Sequence, residues 1–126
     1  MHMMANMEEL TMKPVKWMGS SLKDLKRFPD DVQHNIGYAI EWAQRGDKHS
    51  SAKALKGFGG ASVLEVIEDH DGDTYRAVYT VEIAEMIVVL HCFQKKSKKG
   101  RSTPKSEMDL IHKRLHEVRT LYGKND

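Results

Sequence analysis

Apolar and polar positions alternate or repeat in clear blocks along the chain, and each block predicts an element. Val15 and Trp17 flank Lys16 in a short segment that reads as a first strand. Leu22, Leu25 and Phe28 fall on one helical face behind Ser21 and Asp24, a pattern resembling a capping box. Pro29 ends that helix and suits the first turn of the next. There Val32, Ile36, Ala39, Ile40 and Ala43 recur at helical spacing, with acids at the start and Arg45-Gly46 at the end. The stretch "DKHSSAKALKGFGGA" reads as loop. "SVLEVIEDH" then alternates, placing Val63, Glu65 and Ile67 on one face and Leu64, Val66 and Glu68 on the other. Asp71-Gly72-Asp73 predicts a hairpin into "TYRAVYTVEIA". "EMIVVLHCFQKK" is apolar at successive positions, as a strand buried on both faces must be. Met108, Ile111, Leu115, Val118 and Tyr122 repeat at three and four, predicting a last helix led in by Thr103-Pro104.

The predicted order is β, α, α, β, β, β, α. It describes an α+β domain with helices packed on a mostly antiparallel four-stranded sheet. With 126 residues, one domain is expected, spanning 13–122 behind a leader at 1–12 and before a tail at 123–126. Hydrophobic residues at 40% and charged residues at 30% suit a soluble globular protein. No stretch approaches the ~18 apolar residues of a membrane span, so no membrane partner is expected. The first twelve residues hold five of the eight methionines and no Lys or Arg, which does not fit a signal peptide, and a cytoplasmic protein is expected. Cys92 is the single cysteine, in an apolar strand, and reads as a core residue.

Charge changes the picture at one place. Formal net charge is only +2, yet Lys95, Lys96, Lys98, Lys99, Arg101 and Lys105 follow the central strand with no intervening acid. Most such runs are solvated loops. Here the first members leave directly from a core strand, and Lys53 and Lys56 add charge from another loop. A cluster of this kind attracts polyanions with salt-dependent affinity. Arg76 lies mid-strand, where it either clamps a phosphate or pairs with a neighbour such as Glu65 or Glu82. By alternation His91 shares a face with Val89, Phe93 and Lys95; it suits either proton exchange near neutral pH or a structural hydrogen bond. His112 and His116, one turn apart, have no third ligand or HExxH pattern, and no metal or other cofactor is expected.

Four segments in order carry a family resemblance: "LKGFGGASVLEV", "DTYRAVYTV", "VVLHCFQKKSKKGRSTP" and "EMDLIHKRLHEV". Together, over roughly Lys13 to Arg119, the chain resembles the HigB-like branch of the RelE-type toxin superfamily, which includes phage-derived proteins. The resemblance implies a microbial-RNase/RelE-like α+β fold, two N-terminal helices packed on a four-stranded sheet plus a C-terminal helix. It implies the toxin of a type II toxin–antitoxin system, a metal-independent mRNA endoribonuclease acting on translating ribosomes. The implied partners are a cognate antitoxin of helix-turn-helix, HigA-like type, mRNA and the ribosome. Arg76, His91, Lys95 and Lys96 are the catalytic residues it implies, in phosphate stabilisation, proton transfer and phosphate clamping. Lys53, Lys56, Lys98, Lys99, Arg101 and Lys105 are the expected RNA-binding residues. The RelE pattern also has a C-terminal tyrosine; Tyr122 is the nearest, but packing explains it, and it stays outside the catalytic set. The alternative is a non-catalytic RNA- or ribosome-binding regulator with the same fold. A further rival is an interaction protein whose basic surface meets an acidic partner.

Overall fold

A computed structural model describes residues 12–95 and 102–123. The strands are β1 (Val15–Trp17), β2 (Ala52–Ala54), β3 (Val63–His70), β4 (Asp73–Thr80) and β5 (Ile87–Lys95). The helices are α1 (Ser21–Leu25), α2 (Asp30–Gln44) and α3 (Lys105–Tyr122). They form one mixed sheet in the order β1-β5-β4-β3-β2.

The sheet therefore has five strands, not the expected four. The extra strand, β2, lies inside "AKALKG", which reads as loop because three residues are too few for alternation to show. Its place comes from β3, along which Ala52, Lys53 and Ala54 pair antiparallel with Val66, Glu65 and Leu64. At the other edge β1 runs parallel to β5, with Val15 opposite Ile87 and Trp17 opposite Val89. The remaining pairings are antiparallel. The β3–β4 turn is the predicted one: Asp71 and Gly72 have φ of 50° and 88°, the two positive values a two-residue hairpin of matching twist requires.

Alternation sorts the sheet into two faces. Leu64, Val66, Tyr75, Ala77 and Tyr79 pack with Val32, Ile36, Ala39 and Ile40 of α2. Val63, Val78, Val88, Leu90 and Phe93 pack with Ile111, Leu115 and Val118 of α3. The first and last helices thus cover opposite faces, and β5 is buried on both, as its run of apolar residues predicts. Tyr122, expected to close the α3 stripe, is exposed instead. At the start of α1, Ser20 rather than Ser21 holds the Asp24 carboxylate, by a 2.8 Å bond, while Ser21 is buried and donates to the Val89 carbonyl.

A β-bulge breaks the period of β5. Val78 faces His91 while Tyr79 faces Val89, so Leu90 is the extra residue. Simple alternation groups His91 with Val89. The bulge separates them: Val89 joins the α2 side, and His91, opposite Val78, lies with Phe93 toward α3.

Candidate functional site

The α3 side of the sheet carries a buried polar row, starting from Arg76. In register Glu65 pairs with Val78, and Arg76 pairs with Ile67, so the two charged residues are diagonal neighbours on one face of β3 and β4. Arg76 is 0% exposed and Glu65 7%. Burying either alone costs several kcal/mol per ion, on the order that only pairing offsets. Arg76 Nη1 lies 3.4 Å from Glu65 Oε2. A third group completes a triangle: the Thr103 hydroxyl donates to Glu65 Oε2 at 2.9 Å and accepts from Arg76 Nη1 at 3.3 Å. Of the two sequence readings of Arg76, the salt-bridge partner Glu65 is present, and the guanidinium is covered in this arrangement.

Beside the triangle is a cleft of about 450 Å³, walled by Leu55 and Met108 and presenting Lys56, Glu65, Ser102 and Thr103. Lys53, on the exposed edge strand β2, is paired in register with Glu65. Lys95 Nζ donates to the Ser102 carbonyl at 3.0 Å, which brings the end of β5 to the same segment.

His91 lies on this face but is fully engaged. Nε2 is 2.7 Å from Glu107 Oε1, and Arg114 Nη1, which donates to the Leu90 carbonyl at 2.9 Å, also lies 3.4 Å from Nδ1. Arginine only donates, so Nδ1 accepts and the ring proton sits on Nε2, given to Glu107. The imidazole is also stacked on Phe93, with ring centroids 4.9 Å apart.

The structure brings Arg76, Lys95 and His91 to one face, and residues 102–107 meet each of them: Ser102 at Lys95, Thr103 at Arg76, Glu107 at His91. Sequence reasoning read Thr103 only as a helix lead-in and missed Glu107 and Arg114. Glu65 entered only as a partner for Arg76. No local pattern announces these roles, because each depends on where α3 lands. Lys105 pairs with Asp109 one turn on, at 3.0 Å in solvent. Lys96, Lys98, Lys99 and Arg101 lie outside the described residues.

The remaining candidates have structural surroundings. Burial pushes the Cys92 thiol up to about 12, with the Asp24 charge adding to it, so it stays protonated and unreactive at neutral pH. His112 stacks on Phe58 at 4.2 Å. Among the described residues no group of three or more His, Cys, Asp or Glu is placed to hold a metal, and no helix is long and apolar enough to cross a membrane.

Comparison with known proteins places these residues in a family. The family described as Phage derived protein Gp49-like (DUF891) matches residues 23–116, from within α1 to within α3, and so includes every residue of the polar row. Among solved structures, the chain is similar to one chain of the toxin-antitoxin complex RelBE2 from Mycobacterium tuberculosis. That similarity has 14% identity, covers 71% of this chain and 99% of the other, and has a TM-score of 0.45. Curated proteins yield no match. With most of the folded chain inside the match, from the first helix to the last, the protein belongs to the Gp49-like family of phage-derived proteins.

Proposed function

We propose that this protein is the toxin of a type II toxin–antitoxin pair, of the HigB-like branch, and cleaves mRNA on translating ribosomes without a metal. The observation that carries the reading is the triangle of Glu65, Arg76 and Thr103 at the wall of a cleft flanked by lysines. A carboxylate held against a guanidinium is the pair that RNA transesterification needs. Glu65 takes the proton of a ribose 2′-hydroxyl, and the 2′-oxygen attacks the adjacent phosphorus. Arg76 stabilises the charge that grows on the phosphoryl oxygens. The bond from phosphorus to the 5′-oxygen breaks, and that oxygen takes a proton from a neighbouring cation. A 2′,3′-cyclic phosphate and a free 5′-hydroxyl result.

Lys95, tied to the segment that carries Thr103, is the described cation best placed to give that proton. His91, with both ring nitrogens occupied, acts here as a positioning residue that ties β5 to α3. Lys53 and Lys56, with Lys96, Lys98, Lys99, Arg101 and Lys105 of the basic run, supply phosphate contacts whose strength falls with salt. The cognate partner is an antitoxin of helix-turn-helix, HigA-like type.

One observation favours the alternative, a non-catalytic RNA- or ribosome-binding regulator: an arginine with no exposed surface, paired to a carboxylate, is also what a structural ion pair looks like. Induced expression of wild type and Glu65→Gln in bacteria separates the two. The nuclease reading expects growth arrest and new mRNA ends bearing 5′-hydroxyls with wild type. The nearly isosteric Glu65→Gln, unable to take a proton, should lower cleavage by roughly 10²-fold or more, the scale of losing a positioned base. Intact messages beside soluble, folded wild type would sink the nuclease reading and leave the regulator.

A further inference from the structure

The Thr103 hydroxyl bridges the buried Glu65–Arg76 pair. It gives its proton to the Glu65 carboxylate at 2.9 Å and takes a hydrogen bond from Arg76 at 3.3 Å. A ribose 2′-hydroxyl entering the proposed reaction must do the same two things at the same two groups. The next residue back repeats the pattern: the Ser102 carbonyl oxygen accepts from the Lys95 ammonium at 3.0 Å, as a phosphate oxygen would. From these contacts we infer that Ser102–Thr103 is an internal occupant of the substrate subsite, with the Thr103 hydroxyl in the place of the attacking ribose hydroxyl. The inference rests on the nuclease reading and adds to it the regulation of the same site.

Three features support the assignment. Arg76 has no exposed surface and Glu65 almost none, and the Thr103 hydroxyl is bonded to both, so a substrate oxygen takes that position only when the hydroxyl leaves it. Ser102 and Thr103 also wall the cleft that presents Lys56, so their departure opens the triangle into a cleft already flanked by a cation. Finally, both residues precede the helical ladder of α3, in which the Met108 amide bonds to the Pro104 carbonyl. Withdrawal therefore breaks the contacts to Glu65, Arg76 and Lys95 without unwinding a helical turn. The free protein is closed, and RNA must displace the segment to bind.

The test compares wild type, Thr103→Val and Thr103→Ser in two measurements. One is the affinity for adenosine 3′-monophosphate by calorimetry; the other is the single-turnover rate of mRNA cleavage on programmed ribosomes, with Glu65→Gln as the inactive reference. Valine keeps the shape of threonine but lacks the hydroxyl. Losing a hydrogen bond to a charged group from the closed form shifts the balance toward the open one, so both quantities should rise by roughly tenfold. Thr103→Ser, which keeps the hydroxyl, should return both to wild-type values. If valine leaves both unchanged or lowers them, the segment is ordinary packing and the inference is overturned. Cleavage by wild type, absent in Glu65→Gln and not raised by valine, overturns the inference while the nuclease reading stands. Tighter nucleotide binding by Thr103→Val with no cleavage by any variant keeps the occupied subsite and removes the nuclease reading. Should valine fold poorly, Thr103→Ala makes the same comparison.

Discussion

The two faces of the sheet differ in what they bury. Toward α1 and α2 the contacts are apolar: Leu64, Val66, Ala77 and Val89 against Val32, Ile36, Ala39 and Ile40. The Tyr79 hydroxyl there meets no hydrogen-bond partner among the described residues, and burial pushes its pKa up to about 12. Toward α3 the apolar half, Val78, Val88 and Leu90 against Ile111, Leu115 and Val118, gives way to Glu65, Arg76 and His91, met by Thr103, Glu107 and Arg114. Buried apolar area stabilises a fold directly. Buried charge does so only when every partner is in place, and it costs heavily when one is lost. The face that holds α1 and α2 is built for stability; the other buries charged groups that must be paired.

The comparison breaks most visibly at Arg76. Arg76→Ala leaves the Glu65 carboxylate buried without its cation, and urea denaturation should show a loss of about 3–5 kcal/mol. Arg76→Met with Glu65→Leu removes both charges at similar volume and should recover most of that loss. A double variant as unstable as the single one would mean that the pair is not the unit of stability.

On the apolar face a smaller and cleaner effect is expected. Ile36 is fully buried under the sheet, and Ile36→Val should cost about 0.5–1.5 kcal/mol by the same measurement. Under the proposed nuclease reading, RNA cleavage should not change. A drop in cleavage matching that at Glu65 would show that the faces are coupled, and the division between them would fail.

The smallest effect lies at the edge of the α3 face. Arg119 Nε donates to Glu82 Oε2 at 2.7 Å, and that hydrogen bond holds the Glu82 carboxyl below the usual carboxylate range. A depressed folded pKa contributes stability above the unfolded value, and the contribution is lost as pH falls through the folded one. Arg119 is half-exposed, so solvent screens the pair and Arg119→Ala should cost only about 0–1 kcal/mol at pH 7. The difference from wild type should shrink in acid. If it persists there, packing of the arginine stem rather than the ion pair is responsible.

Much of the fold was legible because period and turn chemistry are local. Asp71-Gly72 set the β3–β4 hairpin through two positive φ values. The spacing of Val32 to Ala43 and of Ile111 to Val118 set two helices with their buried faces. The apolar run from Ile87 to Phe93 set a strand covered on both sides. Edge strand β2 was not legible, since three residues take their conformation from hydrogen bonds to β3 rather than from their own pattern. Nor was the bulge at Leu90, which moves His91 off the face of Val89. Of the candidate site, alternation placed Arg76 mid-strand and offered Glu65 or Glu82 as its partner beside the phosphate-clamp reading; the choice of Glu65 came from the structure.

By itself, then, the sequence determined the type of every element but β2, the hairpin, the inward faces up to the bulge in β5 and the position of one arginine in the sheet, all matters of residues a few places apart. Tertiary structure alone decided that Thr103 meets Glu65, 38 residues earlier, and that Glu107 and Arg114 enclose His91. Those meetings depend on α3 packing across the sheet face. The packing is driven by the burial of Ile111, Leu115 and Val118. That drive is non-directional: the apolar stripe brings α3 to the sheet, and the filled three-dimensional arrangement decides which polar groups come with it.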